Sequence, residues 1–111
     1  MISISLAMDF SRNPSARTEE EGKNSGIKFR EILTPQVKTA IETKQKIFVD
    51  LDGTNGMGTS FLEEVFGGLI REEHIAYEDL KKYLDFISNE EPDLIEEIWG
   101  YIEDAYQNEK V

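Results

Sequence analysis

Two aspartates and a run of glycines stand together near the middle of the chain, in the segment DLDGTNGMGTS from Asp50 to Ser60. Two carboxylates at this spacing can act as nucleophile and as general acid and base in phosphoryl transfer. Glycines that lead into a helix can instead expose backbone N–H groups to an anion. We therefore expect the chemistry or the recognition of this protein to lie in this segment.

A catalytic interpretation rests on the two aspartates. The string FVDLDGT at residues 48–54 resembles the first motif of haloacid dehalogenase-like phosphatases, and the resemblance implies Asp50 as nucleophile and Asp52 as acid and base. That family also needs a downstream serine or threonine, a lysine and an acidic pair for magnesium, in a core much larger than the 57 residues that follow Thr54. A minimal magnesium-dependent phosphatase stays as an alternative hypothesis.

Two binding motifs fit the glycine-rich segment only in part. GTNGMGTS follows the phosphate-binding pattern GxxxxGKS/T, but Thr59 stands at the lysine position and supplies no positive charge for the phosphates. As a calcium loop, the segment places Asn55 where glycine is needed and Phe61 where a bidentate glutamate is needed. Because the chain also has no cysteine and only one histidine, we expect neither a metal nor another cofactor.

The elements before this segment follow from hydrophobic periodicity. Apolar and small polar residues alternate over residues 2–7, which predicts a first strand, and the apolar run Ile47–Leu51 predicts a buried second one. Polar residues 11–25 between them predict a long loop. Ser25 is then the expected cap of a helix, which Pro35 should kink or restart.

The elements after the segment are predicted in the same way. An apolar stripe predicts a helix over Ser60–Arg71, and Ser60 with Glu63 has the spacing of a capping box at its start. A short helical turn over residues 77–81, a strand over residues 83–88 and a last helix from Pro92 complete the order.

This order of elements predicts an α/β fold. We expect one domain over residues 1–111, a small sandwich with a short mixed sheet of about four strands packed with helices. In open α/β sheets, sites gather at the carboxyl ends of the strands. Here that is the Asp50–Ser60 turn.

The charge of the chain is unevenly distributed. Residues 63–111 carry 15 of the 23 acids and four of the 12 bases, so the net charge of -11 belongs to this half. Such a field repels nucleic acid and anionic membranes. Because no segment approaches the roughly 20 apolar residues of a membrane span, and the N-terminus does not look like a signal peptide, we expect a cytoplasmic protein that binds neither. A second alternative is an acidic inhibitor that mimics nucleic acid.

A longer pattern carries a resemblance to a protein family. DLDGTNGMGTSFLEEVFGGLIR at residues 50–71 follows DFS at residues 9–11, Pro14, Arg17, SG at residues 25–26 and FR at residues 29–30. This pattern resembles the STAS-like domain family of unknown function, which is related to sulfate-transporter and anti-sigma-antagonist domains. The resemblance implies a small non-catalytic regulatory module whose partners are proteins, often kinases of the histidine-kinase-like ATPase fold.

The same resemblance implies a phosphorylation switch. In the anti-sigma-antagonist branch, the partner phosphorylates a serine or threonine at the start of the helix after the central strand, and this breaks the complex. An ungapped match from Asp50 places Thr59 on the phosphoacceptor and Ser60 on the next serine. The chain departs from that branch at Gly58, which replaces an aspartate, and at Phe61, which replaces a glycine.

These observations define a candidate docking surface on the turn and the following helix. The residues expected to contact a partner are Asp52, Gly53, Thr54, Asn55, Gly56, Met57, Gly58, Phe61 and Glu64. We also expect Arg12 and Arg17 to pair with Asp50 and Asp52 and so to order the long loop over the turn. Gly67 and Gly68 each cost a helix about 1 kcal/mol relative to alanine, which predicts the close approach of another backbone, either within the fold or from a partner.

Overall fold

A parallel sheet of three short strands forms the centre of the computed structural model, which describes residues 1–109. The strands are β1 (Ile2–Ser5), β2 (Ile47–Asp50) and β3 (Leu84–Ile87), and they lie side by side in that order. The predicted α/β class is confirmed. The prediction of a mixed sheet of about four strands is wrong for residues 1–109, where the structure has three strands, all parallel.

Helices connect the strands and follow the last one. In chain order they are α1 (Leu6–Asp9), α2 (Gly26–Glu42), α3 (Thr59–Leu62), α4 (Gly68–Arg71), α5 (Tyr77–Tyr83) and α6 (Asp93–Glu109). A π-helical turn, Glu63–Gly67, joins α3 to α4 without a break, so the helix predicted over Ser60–Arg71 exists but changes its hydrogen-bonding pattern midway. No helix within residues 1–109 is both long and apolar enough to cross a membrane.

Helix α2 begins where the sequence predicts. The Ser25 hydroxyl accepts a hydrogen bond from the Lys28 N–H at 3.2 Å and so caps the first turn. The predicted restart at Pro35 is wrong, because the helix continues through it to Glu42. Proline inside a helix costs about 3 kcal/mol, but the buried stripe of α2 extends on both sides of it. The members of that stripe are Phe29, Leu33, Val37 and Ala40.

The long helices form one layer on one side of the sheet. Helices α2 and α6 both pack against the π-helical turn, and α6 also packs against α4. Strand residues alternate accordingly: Ile4, Val49 and Phe86 are paired across the sheet and buried. The core therefore lies between this face of the sheet and the helical layer. The turn that follows β2 lies at the carboxyl edge of the sheet.

Candidate functional site

The turn after β2 depends on two glycines with positive φ. Gly53 has φ +91° and Gly56 has φ +125°, a region that side chains other than glycine rarely adopt. A Cβ on Gly56 would meet no atom within 4 Å, so its backbone conformation and not lack of space requires glycine. The tip of the turn, from Asn55 to Ser60, is exposed except for Met57, which is half-buried. The chain thus presents a short exposed bend at the carboxyl edge of the sheet.

Asp52 fastens one side of this turn to the loop after β3. Its carboxylate accepts hydrogen bonds from the N–H groups of Asn89 at 3.2 Å and Glu90 at 3.0 Å, and from the Asn89 amide at 3.1 Å. In return, the Glu90 carboxylate accepts from the Gly53 N–H at 2.8 Å. The backbone N–H of Glu90, with those of Asn89, holds the pKa of Asp52 below its ordinary value. Asp52 therefore helps to hold the turn in its conformation.

The long loop fastens the other side of the turn, but not through the predicted contacts. The Arg12 carbonyl accepts from the Asn55 N–H at 2.7 Å, and the Asn55 amide donates to the Asn13 side chain at 2.8 Å. The guanidinium of Arg12 lies 3.5 Å from the sulfur of Met8. Backbone and amide groups, and no carboxylate, order this part of the loop.

The expected pairing of the loop arginines with Asp50 and Asp52 is wrong. The Asp50 carboxylate accepts from the Asp52 N–H at 3.0 Å and so closes the turn locally. Arg17 instead reaches the helix, where its Nη1 lies 2.5 Å from Glu63 Oε1 and 3.2 Å from Glu64 Oε1. Arg17 thus ties the loop to the π-helical turn.

Arg17 belongs to a set of charged side chains that we call the arginine–glutamate cluster: Arg17, Arg30, Arg71, Glu63, Glu64 and Glu73. Arg71 Nη1 lies 2.7 Å from Glu63 Oε2, so two arginines share the Glu63 carboxylate. Burial alone would raise the pKa of Glu63, but the hydrogen bonds and charges of Arg71 and Arg17 hold it below its ordinary value. The hydrogen bond to Glu63 correspondingly raises the pKa of Arg17.

Arg30 is the buried arginine of the cluster. It donates to the Glu64 carboxylate and, at 2.7 Å, to the Glu64 carbonyl oxygen, while its Nε lies 3.0 Å from Glu73 Oε2. A π turn replaces i+4 backbone hydrogen bonds by i+5 bonds, and such turns need their displaced carbonyls satisfied. The Arg30 guanidinium, which extends from α2, donates the hydrogen bond that satisfies the Glu64 carbonyl.

The paired glycines of the helix make room for this cluster. A Cβ on Gly68 would lie 2.4 Å from Arg30 Nη1, and a Cβ on Gly67 would lie 2.4 Å from Glu63 Oε2. The predicted approach of another backbone is therefore wrong in kind, because the atoms that lie close to these glycines are side chains of the same molecule. Gly26 acts similarly at the start of α2, where a Cβ would lie 2.9 Å from the Phe61 carbonyl oxygen.

Three further sequence predictions need correction at the helix start. The capping box is wrong, because Gly58 is the N-cap without a side-chain hydrogen bond and the Glu63 carboxylate is bound by arginines. Phe61 is fully buried and Glu64 is only 8% exposed. Neither side chain can serve as a docking contact in this fold. Ser60, by contrast, is exposed beside Thr59.

A small cavity lies beside the turn, between the carboxyl ends of β2 and β3. Its lining includes Asp52, Thr54, Met57, Ser88 and Glu90. Glu91 lines it as well, and the three carboxylates disfavour an anionic ligand. Among residues 1–109, the structure brings together no group of three or more histidine, cysteine, aspartate or glutamate side chains that could hold a metal ion.

The sequence did not predict most of the arginine–glutamate cluster. It also did not predict the hydrogen bonds that hold the turn, which join Asp52 to the loop after β3 and Asn55 to Asn13. One signal was available in the sequence. Glu63 and Glu64 each precede a glycine by four residues, so each long acidic side chain lies next to a helix position without a side chain. The arginines that fill the space come from positions 17, 30 and 71, which no local pattern connects. Asn89 and Glu90 are likewise remote in sequence from the turn that they hold.

The fold and this site define a small α/β domain with an exposed glycine turn at the carboxyl edge of a parallel sheet. The family model of the STAS-like domain of unknown function (DUF4325) matches residues 25–94. The chain belongs to this family, as the resemblance in the sequence indicated. No curated protein matches the chain. No solved structure matches it either.

Proposed function

We propose that the protein is a non-enzymatic regulatory module that binds a protein partner through the turn between β2 and α3. The observation that supports this most is the combination of rigidity and exposure in the turn. Asp52 and Glu90 fasten it on one side and Asn13 on the other, while the tip remains open to solvent. A surface ordered before binding loses less conformational entropy when it docks, which favours recognition.

The proposed docking surface is narrower than the sequence alone suggested. It comprises the residues of the turn and the first two residues of α3: Asp52, Gly53, Thr54, Asn55, Gly56, Met57, Gly58, Thr59 and Ser60. Phe61 and Glu64 are excluded because they are buried. Three of these nine residues are glycines, so we expect main-chain groups to contribute to recognition beside the exposed side chains.

The proposed partner is a kinase-like ATPase of the histidine-kinase-like fold, and the proposed switch is phosphorylation of Thr59 or Ser60. Both hydroxyls are exposed at the start of a helix. Ser60 precedes Glu63 and Glu64 by three and four residues, so all three share one helix face. Helical side chains lean toward the helix N-terminus, so we expect Arg17, which bridges the two glutamates, to be able to reach a phosphate on Ser60.

The charges around Ser60 support a stable phosphoserine. Each cluster glutamate already has an arginine partner other than Arg17, since Arg71 binds Glu63 and Arg30 binds Glu64. Arg17 can therefore turn to a phosphate without leaving either carboxylate unpaired. Arginine binds the doubly charged phosphate more strongly than a carboxylate.

The test uses a kinase-like ATPase that copurifies with the protein from its native host. Met57→Arg and Asn55→Arg should each weaken binding at least tenfold, whereas Ile32→Arg, at an exposed apolar position of α2, should not. Equal binding by all three variants would refute docking at the turn.

The switch is tested separately. Mass spectrometry after incubation with the partner and ATP should find phosphate on Thr59 or Ser60, and Thr59→Ala with Ser60→Ala should prevent release of the partner. Unchanged release would remove the switch and leave the docking proposal in place. The contacts of Asp52 add no observation in favour of the phosphatase alternative. The acidic helix α6 adds none in favour of the nucleic-acid mimic.

A further inference from the structure

The side of the sheet that faces away from the helices is uncovered within residues 1–109. Two rows of paired residues lie on it: Ser3, Phe48 and Asp85 in one row, and Ser5, Asp50 and Ile87 in the other. Their neighbours along each strand, such as Val49 and Phe86, are buried in the core. Because side chains alternate between the two faces of a sheet, these six residues share the opposite face.

The exposure of these residues shows that the face is open. Ser3 is exposed, and Phe48 and Ile87 are half-buried and lie outside the hydrophobic core and the side chains that pack on it. The side chain of Asp85 is 46% exposed, and that of Lys46, 3.7 Å away at the rim, is 55% exposed.

Parallel sheets in known folds are covered on both faces, because their connecting helices pack on both sides. Here the strand order and the shared helical layer leave the second face without a cover. Three strands spaced about 4.8 Å apart span roughly 10 Å. One α-helix with its side chains is about 10–12 Å wide. A single helix is therefore wide enough to cover the whole face.

We propose that this uncovered face docks one amphipathic helix of a partner protein, with an apolar stripe on Phe48 and Ile87 and basic residues beside Asp50 and Asp85. Within residues 1–109, Asp50 has no ion-pair partner, and Asp85 has only the distant, exposed Lys46. A helix with lysine or arginine at both sides of its stripe would neutralise both carboxylates.

A second copy of this chain fits the face less well. Each strand has four residues, so the face measures only about 10 by 13 Å. A face of that size suits a single helix, whereas a stable interface between two copies of the chain buries roughly 800 Å² per partner. The net charge of -11 on each copy also opposes self-association. Asp50 lies on the face and also closes the turn, but Phe48, Asp85 and Ile87 lie outside the turn, so this proposal stands whether or not the turn binds a kinase-like ATPase.

The test uses a labelled synthetic peptide of about 18 residues, with leucines along one helical stripe and lysines beside it. A matched peptide carries glutamates in place of the lysines. Fluorescence anisotropy should show binding of the lysine peptide, and Phe48→Ser should raise its Kd about tenfold or more. Ile32→Ser is the control, because it removes an exposed apolar side chain from α2 and should leave the Kd unchanged.

Charge reversal and mapping complete the test. Asp85→Lys should weaken binding of the lysine peptide and strengthen binding of the glutamate peptide, a reversal that loss of folding would not produce. Amide chemical shifts should change in the three strands and not in α6. Equal Kd for Phe48→Ser and the unchanged protein, or shifts centred on α6, would overturn the proposal. So would a dimer that Phe48→Ser dissociates, because a second copy would then occupy the face.

Discussion

Replacing Gly68 by alanine tests whether the arginine–glutamate cluster determines the packing of the helix. The added Cβ would lie 2.4 Å from Arg30 Nη1 and 2.9 Å from its Cδ, so Arg30 must move. Its side chain is only 9% exposed and is bound to Glu64 and Glu73, which leaves it few other positions. Breaking a buried ion pair costs about 3–5 kcal/mol.

The expected net effect combines this loss with a gain. Alanine is favoured over glycine in a helix by about 1 kcal/mol, and Glu64 keeps Arg17 as a second partner. We therefore expect Gly68→Ala to lower the free energy of unfolding by about 2–3 kcal/mol. Gly100→Ala in α6 is the matched control, because a Cβ there meets no atom within 4 Å. It should raise the free energy of unfolding by roughly 0.5–1 kcal/mol.

Urea unfolding followed by far-ultraviolet circular dichroism measures both variants under one condition. Opposite signs for the two glycines would show that space for Arg30, and not helix propensity, explains Gly68. If Gly68→Ala proved as stable as Gly100→Ala, the guanidinium would not need that space and the reasoning about the cluster would be refuted.

Three further predictions concern the cluster and the turn. Because the folded state holds the pKa of Glu63 below its ordinary value of 4.5, the unfolded state binds more protons on acidification. The stability from Glu63 should be present above about pH 4.5 and be lost below it; urea unfolding should show a shallower pH dependence for Glu63→Gln. Arg17→Gln should leave most of the stability in place but speed proteolysis within residues 11–25, because that loop loses its contact with Glu63; an unchanged cleavage rate would contradict this. Asp52→Asn should speed amide hydrogen exchange at Glu90, whose N–H the carboxylate accepts; equal exchange would show that Asp52 does not fasten the turn.

Local patterns predicted the fold where local forces determine it. The Ser25 cap, the strand at residues 47–50 and the helix after the turn all follow from propensity and periodicity, and the structure confirms them. Local reasoning was wrong at Pro35, because burial of the stripe on both sides outweighs the lost hydrogen bond. The predicted sheet of about four strands exceeded the three strand segments that the patterns identified, and residues 1–109 form three strands.

The site was harder to predict than the fold, because its contacts join residues that are distant in sequence. Glu63 was expected to cap its own helix, but Arg17 lies 46 residues away and binds it in the structure. Asp52 was expected to pair with an arginine, but its carboxylate accepts from the N–H groups of Asn89 and Glu90, in the loop after β3. Sequence spacing indicated that the glycine turn matters; only the tertiary structure shows what holds it.

The central claim is that the exposed tip of the turn is a docking surface for a protein. A photo-crosslinking residue at position 55 tests it most directly, with the same residue at position 32 as the control. In extracts of the native host, followed by isolation and mass spectrometry, position 55 should give one crosslinked kinase-like ATPase and position 32 should give none. Crosslinking of that protein from position 32 and not from position 55 would contradict the account.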